Sequence, residues 1–239
     1  MKCFDLKLPT PEANLACDEA LLDACEAGEG PELLRFWESD AYFVVLGCAN
    51  HYRSEANLAE CERAGAPLLR RCSGGGTVVQ GPGCLNYSLI LEIDFHPALA
   101  GSPQTNAYIM EKQAAAIQRL ALGPVAISGT TDLTLNGLKF SGNAQRRRRK
   151  TLLFHGALLL SFDLDRIGRL LNMPSQQPEY RQNRSHGDFL TNLNIERLAI
   201  KAALRQEWGA VEDYDSVPAA AMDALIAEKY GRTEWNLRY

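Results

Sequence analysis

The sequence predicts an α+β fold, in which a mixed, largely antiparallel sheet is flanked by helices within one domain. Short runs rich in β-branched and aromatic residues follow one another between turn signals, which is typical of strands joined as hairpins. Helical patterns are inserted singly, so a doubly wound nucleotide fold is disfavoured. The 239 residues can bury a substantial core, and no linker-like stretch divides them. We therefore expect a single domain over residues 1–239.

The first half of the chain is predicted to contain two helices and five strands. Thr10 before Pro11 is a typical helix start, and Gly28 is a typical stop, which predicts a helix over 11–27. A shorter helix is predicted over 54–64. The predicted strands are residues 33–37, 42–46, 68–72, 77–80 and 84–93. The first two are expected to pair as a hairpin, and a glycine-rich loop joins the next two.

The second half is predicted to start with a helix and four strands and to end in helices. Asn136-Gly137 between two apolar runs is a strong hairpin signal. The predicted strands are 125–127, 132–135, 138–141 and 152–161. The predicted helices are 105–122, about 163–172, 192–207 and 217–230, with a polar loop over 174–191.

Composition excludes several classes of protein. The net charge of −4 and pI near 5.6 argue against general nucleic-acid binding, which usually needs a basic domain. No stretch of 18 apolar residues and no secretory pattern occurs, so we expect neither membrane insertion nor secretion. Seven irregularly spaced cysteines indicate reduced thiols of a cytoplasmic protein, and four scattered histidines encode no local metal site.

The most informative motif is residues 70–79, in which two arginines lead into Gly74-Gly75-Gly76 and then into β-branched residues. Glycines allow backbone N–H groups to approach an anion, and an arginine beside them adds charge-assisted hydrogen bonds. The motif matches neither a P-loop nor a Rossmann loop. A flexible turn is the alternative for a bare glycine triplet.

Two later strands carry candidate polar groups. Lys139 stands between apolar residues after the Asn136-Gly137 turn; it is either a surface lysine or a cation that faces the same ligand as Arg71. His155 interrupts an apolar strand and is interpreted as supporting structure. Gly156 beside it indicates close approach of a ligand or another backbone.

These motifs, in this order and spacing, resemble the lipoate-protein ligase family and its octanoyltransferase and biotin-ligase relatives. The pair formed by residues 70–76 and 139–145 carries most of the resemblance. It extends over nearly the whole chain. Further matching segments are residues 14–22, 34–37, 44–47, 83–88, 131–132, 155–159 and 230–236.

The resemblance implies an enzyme that uses ATP and Mg²⁺ to activate lipoate, or octanoate, as an acyl-adenylate. The acyl group then passes to a lysine of an acceptor, either a lipoyl domain of 2-oxoacid dehydrogenase complexes or the glycine cleavage H protein. The resemblance assigns a catalytic role to Lys139. Nucleotide binding is assigned to Arg71, Gly75, Gly76, Thr77, Val78, Val79 and Lys139. Substrate binding is assigned to Arg70, Ser73, Gly74, Asn86, Asp132, Gly142, Ala144, His155 and Gly156, and no metal-ligating residue is assigned.

Three departures from the family pattern matter. Gln80 stands where relatives often have histidine. The sequence ends at Tyr239 without the small accessory domain of many ligases, which leaves open whether adenylation needs a separate accessory subunit. Residues 146–150 form a dense basic run, interpreted either as a mobile solvated loop or as a loop that closes over ATP or steers an acidic acceptor.

The main alternative is an octanoyl- or lipoyltransferase that acts through a cysteine thioester without ATP. In such relatives the cysteine lies some fifteen residues before the motif lysine, where this chain has Pro124-Val125-Ala126. Cys72 and Cys84 flank the glycine loop and are interpreted as packing thiols. A non-catalytic docking module is a third possibility, disfavoured because Lys139 and Arg71 are retained.

Overall fold

The computed structural model describes residues 1–94 and 96–239, in which eleven strands form two sheets. In chain order the strands are β1 (Lys2–Asp5), β2 (Leu33–Trp37), β3 (Phe43–Leu46), β4 (Leu68–Arg70), β5 (Val78–Gln80), β6 (Cys84–Glu92), β7 (Val125–Ser128), β8 (Asp132–Leu135), β9 (Leu138–Arg147), β10 (Thr151–Leu159) and β11 (Glu212–Asp213). The eight-stranded sheet has the order β11-β1-β2-β6-β10-β9-β8-β7, and the three-stranded sheet has the order β4-β3-β5.

Most neighbouring strands are antiparallel. The large sheet is antiparallel from β2 through β7, and only β11, β1 and β2 run parallel to one another. In the small sheet β3 is parallel to β4 and antiparallel to β5. Mixed sheets flanked by helices confirm the predicted fold class.

Helices cover both faces of the large sheet. They are α1 (Pro11–Ala27), α2 (Tyr52–Glu55), α3 (Leu58–Arg63), α4 (Ser102–Gln118), α5 (Leu164–Leu170), α6 (His186–Phe189), α7 (Arg197–Trp208), α8 (Ala219–Leu225) and α9 (Thr233–Asn236). On one face, α4 and α7 pack over a core that includes Leu34, Leu89 and Phe154. On the other, α1 and the small sheet share a core with Ile90 and Leu153. The space between the two sheets contains the candidate site.

The first helix begins and ends where the sequence predicts. Thr10 Oγ1 accepts a hydrogen bond from the Ala13 amide at 3.1 Å, and Gly28 closes the helix in the left-handed conformation. The hairpin over 136–137 also forms, joining β8 to β9. Asn136 and Gly137 both have positive φ, as such a turn requires.

Several predicted elements are wrong in detail. The strands predicted at 33–37 and 42–46 do not pair as a hairpin, because β2 belongs to the large sheet and β3 to the small one. The strands before and after the glycine loop pair with β3 and not with each other. Two short helices, α2 and α3, replace the single helix predicted over 54–64, and the predicted helix at 192–207 begins only at Arg197.

The end of the chain packs close to the glycine loop. The buried guanidinium of Arg70 donates to the carbonyls of Gly47, Asn50, Trp235 and Asn236. Within the described residues, no helix combines the length and apolar character needed to cross a bilayer.

Candidate active site

A cavity of about 290 Å³ lies between the two sheets. The glycine loop forms one wall, and the middle of β9 and β10 forms another. Leu15, Trp37, Val45 and Tyr87 line it with apolar surface, whereas Lys139 and Arg71 line it with cationic groups. The cavity therefore offers an apolar part suited to a hydrocarbon chain and a polar part suited to an anion.

The glycine loop is held from the inside by Arg71. Its guanidinium donates to the carbonyl of Gly76 at 2.8 Å, to the carbonyl of Gly74 and to Ser73 Oγ at 3.0 Å. Burial lowers the pKa of Arg71 to about 10, so it stays charged at neutral pH. The triplet is thus held by Arg71, and the alternative of a hairpin turn is wrong because its flanking strands, β4 and β5, each pair with β3.

The backbone amides of this loop are available to a ligand. Among residues 1–94 and 96–239, no protein acceptor takes a hydrogen bond from the amides of Gly74, Gly75, Gly76 or Thr77. Gly75 has φ of +84°, which turns the chain back on itself. Successive free N–H groups of this kind form an anion-binding concavity.

Lys139 faces the cavity. Its Nζ lies 2.9 Å from Asp132 Oδ1, and the side chain is 24% exposed. Asp132 Oδ2 accepts a hydrogen bond of 2.7 Å from the Tyr180 hydroxyl, whose pKa is raised by burial and by the neighbouring carboxylate. A Cβ at Gly142 would lie 3.0 Å from Lys139 Nζ, so glycine leaves room for the ammonium. Asp132 and Tyr180 orient Lys139, and the interpretation as a solvent-facing lysine is wrong.

A chain of buried polar groups links α1 to the glycine loop. Asp18 pairs with the fully buried Arg35 and accepts a hydrogen bond of 2.8 Å from Ser88. Burial alone would raise the pKa of Asp18, but Arg35 and His155 hold it below its usual range. Because an ionised carboxylate only accepts, His155 Nδ1, at 3.4 Å, is assigned as the donor to Asp18. His155 Nε2 then accepts from the Ser73 hydroxyl at 2.6 Å.

This series of buried polar groups fixes the glycine loop, and it includes side chains to which the sequence analysis assigned no role. Asp18 and Arg35 were matched to the family only as parts of longer segments. A signal was nevertheless present, because an aspartate and an arginine within otherwise apolar elements are rarely buried unless paired. His155 contacts the loop through Ser73 and also lines the cavity.

Gly156 makes room for Asn143. A Cβ at this position would lie 1.7 Å from Asn143 Oδ1. That oxygen accepts a hydrogen bond of 2.6 Å from the Tyr87 hydroxyl, and Asn143 Nδ2 donates to the Thr131 carbonyl at 2.6 Å. The expectation of a close approach at Gly156 is confirmed, with a side chain as the neighbour.

The polar loop over 174–191 contributes a further cation. Arg181 is 5% exposed, lines the cavity and lies with its guanidinium 4.7 Å from the centre of the Phe189 ring. Burial lowers its pKa. No carboxylate of the described residues forms an ion pair with it. A second cavity of about 100 Å³, next to the first, shares Arg181, Lys139 and Phe189 with it.

The structure brings most of the sequence-predicted site residues together. Twelve line the larger cavity: Arg71, Gly75, Gly76, Thr77, Val78, Asn86, Asp132, Lys139, Gly142, Ala144, His155 and Gly156. Val79 lines only the second cavity. Arg70, Ser73 and Gly74 line neither: Arg70 holds the end of the chain, and Ser73 acts through His155.

No cysteine of the described residues lines either cavity. Burial raises the pKa of Cys72 and of Cys84 to about 12, so both thiols are protonated at neutral pH. Their interpretation as packing thiols agrees with this burial. Within the same residues, no group of three His, Cys, Asp or Glu side chains could hold a metal ion.

Most of the chain matches one known protein family. Residues 10–203 match the lipoyl protein ligase A/B catalytic domain. The chain belongs to this family. The match includes the glycine loop and the strand that carries Lys139, so it confirms the resemblance that these segments indicated.

The chain is similar to relatives named as octanoyltransferases and to relatives named as lipoate-protein ligases. Octanoyltransferase LipM of Brevibacillus brevis is 27% identical, over 96% of this chain and 95% of its own length. A probable lipoate-protein ligase A of Mycoplasma pneumoniae is 32% identical over 72% of this chain, which matches half of that protein. Relatives named as transferases and relatives named as ligases thus both occur in this family.

Solved structures share the fold. A bi-partite lipoate protein ligase from Thermoplasma acidophilum, studied with its E2 lipoyl domain, aligns with a TM-score of 0.83 at 22% identity, over 99% of this chain and 95% of its own. A lipoate-protein ligase A bound with ATP aligns with a TM-score of 0.80 at 21% identity, over 99% of this chain and 98% of its own. The lipoyl protein ligase fold is common to all three.

Proposed function

We propose that this protein is an ATP-dependent lipoate-protein ligase. One observation carries the proposal: free loop amides and Lys139 line the same cavity, and no thiol of the described residues does. Cationic groups and amides suit an acyl-phosphate anhydride, whereas a thioester mechanism needs a reactive thiol. The residues that line the cavity therefore favour the chemistry of a ligase over that of a thioester-forming transferase.

In the first half-reaction, a carboxylate oxygen of lipoate or octanoate attacks the α-phosphorus of ATP, and pyrophosphate leaves. The amides of residues 75–77 would hold phosphate oxygens, and Lys139 would offset the negative charge that develops at the same place. Mg²⁺ would enter with the triphosphate, whose charge it offsets, because the described residues offer no cluster of their own. The apolar lining near Trp37 would take the acyl chain.

In the second half-reaction, the amine of an acceptor lysine attacks the acyl carbon, and AMP leaves as the amine loses a proton. The mixed anhydride is already activated, so the protein needs no nucleophilic side chain of its own. The proposed acceptors are lipoyl domains of 2-oxoacid dehydrogenase complexes or the glycine cleavage H protein. Thiols that are all free fit the proposed cytoplasmic location.

The experiment measures pyrophosphate release from ATP, Mg²⁺ and lipoate, with and without a candidate accessory subunit. We expect release, and we expect iodoacetamide to leave it unchanged because no thiol of the described residues lines the cavity. A parallel reaction gives the protein an octanoyl-carrier thioester without ATP. If pyrophosphate is absent under both conditions while a protein thioester is trapped, the ligase assignment is wrong and the transferase alternative replaces it.

A further inference from the structure

The basic hairpin, residues 146–150, joins β9 to β10 and is fixed to its surroundings. Arg147 donates to Thr105 Oγ1 at 3.0 Å and to the Leu99 carbonyl at 2.7 Å. Arg148 pairs with Asp23 at 2.7 Å. The expectation of a mobile solvated loop is therefore wrong for these two arginines.

Glu26 of α1 anchors the turn itself. Its carboxylate accepts hydrogen bonds from the Lys150 amide at 2.9 Å, the Thr151 amide at 3.0 Å and the Thr151 hydroxyl at 2.9 Å. Desolvation alone would raise the pKa of Glu26, but these hydrogen bonds lower it. The carboxylate stays ionised at neutral pH and anchors the backbone of the turn to α1.

Three cations of this hairpin point outward. Arg146, Arg149 and Lys150 are exposed, and none forms an ion pair with a carboxylate of the described residues. A molecule with a net charge of −4 thus presents a cluster of exposed cations on a hairpin whose backbone is anchored. Exposed charges normally contribute little to folding, so a cluster of them without carboxylate partners points to a role in recognition.

The surface lies beside the cavity. Ala144 lines the cavity, and Arg146 follows it on the same face of β9, about 7 Å along the strand. Arg146 does not line the cavity, so its charge acts on what approaches the opening and not on what is held inside. The screening length near 8 Å at physiological salt is comparable with this spacing.

We propose that Arg146, Arg149 and Lys150 form the docking surface for the acceptor protein, which presents acidic side chains around its target lysine. The inference rests on the proposed function, since it places the acceptor lysine at the opening of the acyl-bearing cavity. Opposite charges would raise the association rate and orient the acceptor. A nucleic acid is the competing partner, and the test includes it.

The test measures binding apart from chemistry. A fluorescently labelled, unmodified lipoyl domain with carboxylates near its target lysine is titrated with the protein at 20 and 300 mM NaCl. The test variant is Arg146→Glu/Arg149→Glu. The matched control is Arg63→Glu/Arg169→Glu, which makes the same charge change on exposed side chains of α3 and α5. Those helices pack near Leu159, at the opposite end of β10, about 26 Å away.

We expect the test variant to weaken binding at 20 mM NaCl by about 10- to 100-fold, as the reversal of two steering charges implies. The control should change it less than about threefold, and 300 mM NaCl should remove most of the difference. Equal effects of the two variants, or no salt-sensitive binding by the wild type, would overturn the proposal. So would an oligonucleotide that binds through these arginines while acceptor binding is unchanged.

Transfer from chemically prepared lipoyl-AMP is measured on the same samples. A rise in the KM for the acceptor without a change in kcat agrees with docking. If the wild type binds the acceptor but neither makes nor uses lipoyl-AMP, the docking surface stands and the proposed ligase function fails. Equal thermal midpoints of the two variants confirm that both are folded.

Discussion

The structure predicts that the three glycines of the loop differ in importance. Gly75 has φ of +84°, and a Cβ there would lie 2.9 Å from Arg71 Nη2; at Gly74 and Gly76 the same atom would meet nothing within 4 Å. In Gly75→Ala, the left-handed backbone costs about 1–2 kcal/mol. Displacing the Arg71 hydrogen bonds to the loop carbonyls adds about 1.5–3 kcal/mol. The lower entropy of the unfolded chain offsets about 0.4–1 kcal/mol.

The net loss for Gly75→Ala is about 1.5–4.6 kcal/mol, the sum of these effects. For a chain of this length it corresponds to a fall of about 3–18 °C in Tm. Calorimetry of the ligand-free protein measures it. Gly74→Ala is the matched control, and its Tm should stay the same or rise slightly. Equal Tm losses for the two variants would refute the argument that Arg71 and a single left-handed glycine hold the loop.

Three further predictions concern charge. Lys139→Met should lower acyl transfer at least 100-fold while Tm changes little, because removing one charge-stabilising donor costs about 2.7–4 kcal/mol; transfer near the wild-type rate would contradict this. Asp18→Ala should cost about 3–5 kcal/mol of unfolding free energy in urea by leaving Arg35 buried without its partner. Asp40→Ala is the control: it breaks the exposed pair with Lys7 and should lower the free energy of unfolding by only about 0–1 kcal/mol. Burial, aided by Arg181, lowers the pKa of His186 from 6.5 to about 4. Since only the unfolded chain then takes up the proton, stability should fall between pH 6.5 and 4, and less steeply in His186→Gln; equal slopes would contradict this.

Local signals predicted the elements that depend on neighbouring residues. The bounds of α1 follow from a capping threonine, a proline and a terminal glycine, all of which act within one turn of the helix. The turn at Asn136-Gly137 depends on backbone conformations that these residue types favour. Such features need no knowledge of the rest of the chain.

Pairing between distant strands could not be predicted in the same way. Nothing in residues 33–46 reports that β2 pairs with β1 and β6, whereas β3 pairs with β4 and β5. Both strands are fully buried, so their apolar composition fits either sheet. Adjacency in the sequence favoured a hairpin, and packing between the sheets decided otherwise.

In the candidate site, too, local motifs could be predicted from the sequence, whereas contacts between distant segments could not. The glycine loop and Lys139 were found from motifs, but the partners that orient them were not. Tyr180 contacts Asp132 from a polar loop 48 residues later, and Asp18 contacts His155 across 137 residues. A mobile loop was one of two interpretations of the basic hairpin, based on its run of like charges; its anchors, Glu26 and Asp23, belong to α1 and could not be found from the hairpin sequence.

The position of the cavity between two sheets has a consequence for ligand-linked stability. A ligand held by the amides of residues 75–77 and by Lys139 would contact both the small sheet and the large one. The amides of β3 and β9 would then exchange with deuterium more slowly together, although 92 residues separate the strand ends Leu46 and Leu138. At a ligand concentration 100 times its Kd, this protection corresponds to about 2.7 kcal/mol. Saturating the cavity would therefore strengthen the coupling between two sheets that already share a core.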